Sequence, residues 1–229
     1  MKNLCIIPAR GGSKRIPRKN IKDFLGKPII AYSIEAAFKS GLFDEVMVST
    51  DDEEIAKIAK KYGANVPFMR SVQNANDYAT TVNVILEVIA SFEKLGMFFV
   101  NICCLYACAP LVKIESLVTG LEKLEVQKFD SIIPLVPFSF PIQRSFKLDE
   151  NKISYLYPEY EKLRSQDLEK AFHDTGQFYW SSVESLKNNK TLVTKNTGFI
   201  TLDELHVQDI DNEMDWKMAE LKYKLNYEK

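Results

Sequence analysis

Short runs of apolar residues alternate with longer amphipathic runs through the first 136 residues, and few architectures accommodate that order. "LCIIPA" (4–9), "EVMVST" (45–50), "FFVNICCLYA" (98–107) and "SIIPLV" (131–136) lack a polar face, as strands covered on both sides do. Between them, residues 28–41, 52–63, a stretch capped by Thr80 or Thr81 and ended by Gly96, and 114–124 carry apolar side chains at helical spacing. In the first of these Ile30, Ile34, Ala37 and Phe38 share a face, Pro28 suits the opening turn and Gly41 the closing cap. This order predicts an α/β fold, a Rossmann-like and mostly parallel sheet with helices on both faces. Such sheets take their ligands beyond the carboxyl ends of the strands, so the loops that follow the strands are where chemistry is sought.

The first such loop is unusual. "ARGGSKRIPRKN" (9–20) places Gly11, Gly12 and Ser13 directly after a buried strand and adds Arg10, Lys14, Arg15, Arg18 and Lys19, with no acid before Asp23. It is neither the G-x-x-x-x-G-K-[ST] nor the G-x-G-x-x-G phosphate loop. One reading is a solvated basic surface. The other is an anion cradle of consecutive backbone N–H groups with mobile cations around it. Its position at a strand's carboxyl end favours the cradle. The second strand is followed by "STDD" (49–52) and the third by "YACAP" (106–110).

The rest of the chain narrows the partner. It has 229 residues and a formal net charge of -1, so the basic loop is a local feature and its target a small molecule. Neither nucleic acid nor a membrane is expected as partner. The longest apolar stretch, 98–112, is too short for a span, and no leader pattern is visible at the N-terminus. Cys5, Cys103, Cys104 and Cys108 form no CxxC pair and read as reduced thiols of a cytoplasmic protein.

The second half is less regular. Residues 144–180 show short β-like runs around the turn "DEN" and many aromatics, which reads as a hairpin or arm inserted into one domain spanning 1–229. "GFITL" (198–202) and "HVQDID" (206–211) return to strand character, and 215–225 form a last helix. Residues 196–216 hold six acids and no lysine or arginine. On a strand Asp209 and Asp211 point to one face, as ligands for Mg²⁺ or as an exposed acidic end next to a helix N-terminus.

"PARGGSKRIPRKN", "STDDEEIAKIAKKYGA" and "DIDNEMDWKMAE", in that order over nearly the whole chain, resemble the CMP-sialic acid synthetase family, the acylneuraminate cytidylyltransferases. The resemblance implies a nucleotide-diphospho-sugar transferase type of fold and a homodimer. The reaction implied joins CTP to a nine-carbon 2-keto sugar acid with Mg²⁺ and releases pyrophosphate. Matched residue by residue, it implies that Arg10, Gly11, Gly12, Ser13 and Lys14 hold the CTP phosphates, with Ala9 also part of the nucleotide site. Lys19 would lie by the α-phosphate. Asn20, Arg70, Ala75 and Asp77 would lie about the cytidine, and Asp209 and Asp211 would hold Mg²⁺. Arg10, Lys19 and Asp211 would be catalytic.

"YACAPLV" (106–112), "FPIQR" (140–144) and "TGQFYW" (175–180) depart from the sialic acid pattern and are similar to the family's pseudaminic acid branch. That branch acts on a deoxygenated, doubly N-acylated relative of sialic acid. Tyr106, Gln143, Arg144, Gln177, Phe178 and Tyr179 are the sugar-binding candidates it implies. Phe140 and Trp180 are equally read as core or dimer packing, a reading that is weaker for Tyr179, and Arg144 as a hairpin ion pair. Legionaminic or N-acetylneuraminic acid is the alternative substrate, and a silent nucleotide-binding protein the alternative of another class. The 144–175 arm is the candidate for sugar binding and dimerisation.

Overall fold

The computed structural model describes residues 2–227. Its strands are β1 (Asn3–Pro8), β2 (Asp23–Phe24), β3 (Lys27–Pro28), β4 (Glu45–Ser49), β5 (Asn101–Leu105), β6 (Ser131–Pro137), β7 (Phe146–Asp149), β8 (Lys152–Tyr155), β9 (Phe172–Asp174), β10 (Phe178–Ser182) and β11 (Thr197–Thr201). Its helices are α1 (Ile29–Ser40), α2 (Glu53–Lys61), α3 (Thr81–Lys94), α4 (Ile114–Gln127), α5 (Val183–Asn189) and α6 (Glu213–Tyr227). The main sheet runs β11-β6-β10-β5-β1-β4, with β9 also on β6. β4, β1 and β5 are mutually parallel, as are β6 and β11, while β9 and β10 run antiparallel to their neighbours.

The expected α/β fold is present, because alternation along each strand feeds two cores. Cys5 and Ile7 of β1 meet α1, α2 and α4 on one face. Leu4 and Ile6 meet α3 and α5 on the other. The helices start where sequence chemistry places caps. Asp52 accepts the N–H groups of Glu54 and Ile55 ahead of α2, and Thr80 accepts that of Asn83 ahead of α3. Gly41 closes α1 at a φ of 64°, a left-handed value that glycine adopts without steric cost.

Two expectations are corrected. Residues 178–180 do not belong to an arm: they open β10, which lies between β5 and β6 at the centre of the sheet. Trp180 is fully buried there, stacks on Phe43 at 5.2 Å and donates from Nε1 to the Leu117 carbonyl at 3.0 Å. The ring fits because α4 carries Gly120 above it; a Cβ there would stand 2.8 Å from Trp180 Cδ1. Nor is 206–211 a strand. Residues 204–206 form a 3-10 turn and 207–212 run irregularly into α6. The hairpin expected around "DEN" exists as β7–β8, with every residue of β7 exposed.

Candidate functional site

The carboxyl ends of β1 and β5 open onto a cleft with two adjoining lobes, and Arg70, anchored on the last residue of β4, lines it. The first, of about 490 Å³, is walled by Ser13, Lys14, Arg70, Asn74, Asn76, Asp77, Ala79 and Val84. The second, of about 600 Å³, is walled by Ala107, Cys108, Asp174, Gly176, Tyr179, Asp209 and Asp211. Pro8, Arg10, Arg15, Lys19, Asn20, Thr81 and Tyr106 belong to both. Three cations of the basic loop therefore form the strip that joins a polar lobe to an acidic one.

The glycine loop is held from below by "STDD". Gly11 N–H donates to Asp51 Oδ1 at 2.9 Å. Arg18 grips Asp52 through both guanidinium nitrogens, at 2.5 and 3.0 Å, and Glu54 at 2.5 Å. These bonds fix Arg18 at a φ of 55°, a left-handed value that a non-glycine residue adopts at a cost of roughly 1 kcal/mol. The Arg18 guanidinium in turn holds the Asp52 carboxyl down to about 2. Ser13 N–H turns back to the Gly11 carbonyl at 3.0 Å. Two of the amides expected to face a ligand are thus bonded inside the protein. Ala9 is fully buried, and Ala9, Gly11, Gly12 and Ala75 are not on the cleft wall.

The side chains of the loop do reach the cleft. Arg10 and Lys14 share the Asp77 carboxylate, at 2.6 and 2.5 Å. Those two hydrogen bonds, Lys14's first, lower the Asp77 pKa. Lys19 Nζ donates to the Ile210 carbonyl at 2.6 Å, and Arg15 pairs with Asp211 at 2.6 Å. The loop is thereby tied to the acidic segment nearly 200 residues away. Asn20, buried, donates to the Arg10 carbonyl at 2.9 Å and accepts from Cys108 Sγ at 3.3 Å. Arg70 is buried and donates to Ser49 Oγ and the Ser49 carbonyl; burial lowers its pKa.

Asp209 and Asp211 do meet at one wall, though by an irregular path rather than a strand face. Val207 and Ile210 point into the core and leave the acids outward. Four successive carbonyls are held by side chains from elsewhere. Lys222 Nζ donates to those of Glu204 and Val207, Asn226 to Leu205 and Gln177 to His206. Loss of hydration raises the Asp209 pKa, and the Asp211 charge adds to it. Two crowded carboxylates of this kind suit a divalent cation. Among the described residues no third His, Cys, Asp or Glu stands with them as a ligand set. Two carboxylates are a donor set of the kind Mg²⁺ takes together with waters and substrate phosphates.

The sugar-binding candidates separate. Tyr106 and Tyr179 line the acidic lobe with rings edge to face at 5.6 Å. Burial raises both phenols, Tyr106 to about 12. Tyr106 OH lies 2.8 Å from Thr81 Oγ1, and Tyr179 OH donates to Asp174 Oδ2 at 2.5 Å. Phe178 is fully buried on the opposite face of the sheet, packed with Trp180, because neighbours on a strand point opposite ways. Gln177 is buried behind the wall, bonded to His206. Gln143, just before the arm, and Arg144, its first residue, are bonded to the carbonyls of Glu169 and Leu163 and border neither lobe. Asn74, Asn76, Thr81 and Asp174 line the cleft without having been sequence candidates, and Arg15, read there only as one cation of the basic loop, lines both lobes. Of these only Arg15 carried a signal, by lying in a loop that follows a strand.

Three comparisons bear on this cleft. A family model described as cytidylyltransferase matches residues 4–201, which leaves the carboxylate pair just beyond the match. The chain is 45% identical over 229 residues to a pseudaminic acid cytidylyltransferase of Campylobacter jejuni, covering 100% of this chain and 99% of that one. It is 31% identical to a CMP-N,N'-diacetyllegionaminic acid synthase of Legionella pneumophila, with coverage of 100% and 99%. Its fold matches a CMP:2-keto-3-deoxy-manno-octonic acid synthetase complexed with CTP at a TM-score of 0.71, over 99% and 100% of the two chains, with 17% identity.

Proposed function

The chain belongs to the cytidylyltransferase family, and from that premise we propose that it activates pseudaminic acid with CTP, giving the CMP-sugar and pyrophosphate. The observation that carries this reading is the cation strip shared by two lobes. A nucleoside triphosphate placed with its base against Arg70 and Asn74 lays its phosphates along Arg10, Arg15 and Lys19, with Lys14 alongside. The α-phosphorus then faces the acidic lobe, where the sugar enters beside Tyr106 and Tyr179.

The chemistry is an in-line displacement. The anomeric hydroxyl gives up its proton to a carboxylate of the acidic lobe or to water, its oxygen bonds to the α-phosphorus, the bond from that phosphorus to the bridging oxygen breaks, and its electron pair leaves with pyrophosphate. The protein positions both reactants and neutralises the charge that develops. Lys19, held by the Ile210 carbonyl, stands between the loop and the acids, where it serves the α-phosphate. Arg10 serves the departing group. Asp209 and Asp211 would hold Mg²⁺, which when bound offsets phosphate charge and makes the attacking hydroxyl more acidic.

The protein acts in the cytoplasm, in this reading, as a homodimer. The arm and the segment leading into it support a partner, since Phe140, just before the arm, and Leu148 and Ile153 within it are 82%, 80% and 66% exposed. The testing experiment is CTP-dependent pyrophosphate release with pseudaminic, legionaminic and N-acetylneuraminic acids, each with Mg²⁺ and with chelator. Mg²⁺-dependent release with pseudaminic acid alone is the expected result. Release with another acid instead replaces the substrate, and silence with all three removes catalysis from the reading.

A further inference from the structure

The acidic lobe contains a carboxylate that neither the phosphates nor a metal accounts for. Asp174 ends β9 and faces the lobe. Both of its partners are neutral: Gly176 N–H donates to Oδ1 at 2.9 Å and Tyr179 OH to Oδ2 at 2.5 Å. Among the described residues no cation pairs with it, whereas Asp52, Asp77 and Asp211 each bind an arginine. It does not complete a metal set with Asp209 and Asp211 either. The side chain is held in place nonetheless. Gly176, at a φ of 63°, turns the chain so that its amide reaches back to Asp174, and β10 fixes Tyr179.

A carboxylate oriented in this way, in a lobe that receives an anionic sugar, repels that sugar unless it meets a hydrogen-bond donor. Each oxygen keeps a lone pair beyond the one its protein partner uses. A deoxygenated, doubly acylated sugar acid has given up hydroxyl donors and carries amide N–H groups in their place. We propose that Asp174 is a specificity-determining residue whose carboxylate accepts an acylamido N–H of the sugar, with Tyr179 holding it in register. The inference rests on the reading of the second lobe as the sugar's lobe. It assigns Tyr179 a positioning role.

The test compares the parent diacetamido acid with two analogues, each bearing an azide, which has no N–H, in place of one acetamido group. A lost charge-assisted hydrogen bond corresponds to roughly 10–100-fold in kcat/KM. The wild-type protein is expected to disfavour one of the two analogues by that factor. In Asp174→Asn the amide can still accept from Gly176 or Tyr179, so the fold is kept; a thermal melt checks it. The variant is expected to lose the discrimination, to raise KM for the parent acid, and to leave KM for CTP unchanged. Tyr179→Phe is expected to lose part of the discrimination. A variant that keeps the wild-type ratio, or that weakens CTP and every sugar alike, overturns the proposal and leaves the reaction standing. Absence of turnover of the parent acid by the wild-type protein removes both.

Discussion

Gly11 and Gly12 are adjacent and chemically identical, yet the structure separates them sharply. A Cβ on Gly11 would lie 2.7 Å from Asp52 Oδ2, 3.0 Å from its Cβ and 3.2 Å from its Cγ. A Cβ on Gly12 meets nothing within 4 Å. Asp52 cannot swing aside, because Arg18 holds it through two nitrogens and the first amides of α2 hold it through Oδ1. In Gly11→Ala the loop must therefore move, which costs about 1–3 kcal/mol as overpacking does elsewhere. The loop carries Arg10 and Lys14 with it, and a displacement near 1 Å at a site built on positioning lowers kcat by roughly 10²-fold. Gly12→Ala should leave stability within about 0.5 kcal/mol, as surface changes do. Urea unfolding of both variants and their pyrophosphate-release rates decide the matter. Equal losses of stability would refute the claim that Asp52 is the wall against which the loop is set.

The other expectations concern charge and support. Arg10→Ala should lower turnover by roughly 10²-fold with the melt unchanged, and Asp211→Ala should abolish it; a wild-type rate in either withdraws that residue from the site. Asp52 is lowered to about 2 by Arg18 and two helix amides, so its contribution to stability is present above about pH 4 and lost as pH falls from there to about 2. With solvent screening this amounts to about 1 kcal/mol. The drop in unfolding stability from pH 5 to pH 3 should be smaller in Asp52→Asn than in the wild type, since Asp77 and the other lowered carboxyls titrate in both. Lys222→Met frees the carbonyls of Glu204 and Val207, and should raise the Mg²⁺ concentration for half-maximal binding by about 10-fold in a calorimetric titration. An unchanged titration would mean that the acids hold their places without Lys222.

The alternating core was legible because each strand and helix states its own period. Leu4 to Ile7 are buried whatever pairs beside them. β10 was not legible in this way. "FYWSS" is short and follows an aromatic-rich irregular stretch, and only its pairing with β5 and β6 makes it a central strand. Reading it as a strand would have sorted its side chains at once, sending Tyr179 to the cleft face and Phe178 and Trp180 to the core. The acids at 209 and 211 were found for an imperfect reason. Their spacing suggested a strand, while their positions depend on Lys222, Asn226, Gln177 and Lys19, donors from three other parts of the chain. Such long-range donors leave no local pattern.

The net charge of -1 conceals how the cations of the basic loop are balanced within the protein. Arg18 is gripped by two carboxylates, one of them locked into a helix cap, so it is a fixed part of the scaffold. Arg10, Lys14 and Arg15 instead rest on Asp77 and Asp211, whose side chains are each 41% exposed. Exposed pairs of this kind are worth about 0–1 kcal/mol. A triphosphate offers the same cations several charged oxygens at once, so these pairs exchange at little cost while the Arg18 grip persists. On the proposed reading, leaving Asp77 would free a carboxylate at the mouth of the first lobe, and leaving Asp211 would free a carboxylate proposed to hold Mg²⁺ beside Asp209. Arrival of the phosphates at the strip would thereby prepare the acidic lobe for that cation, which gives a physical reason for the two lobes to share the strip.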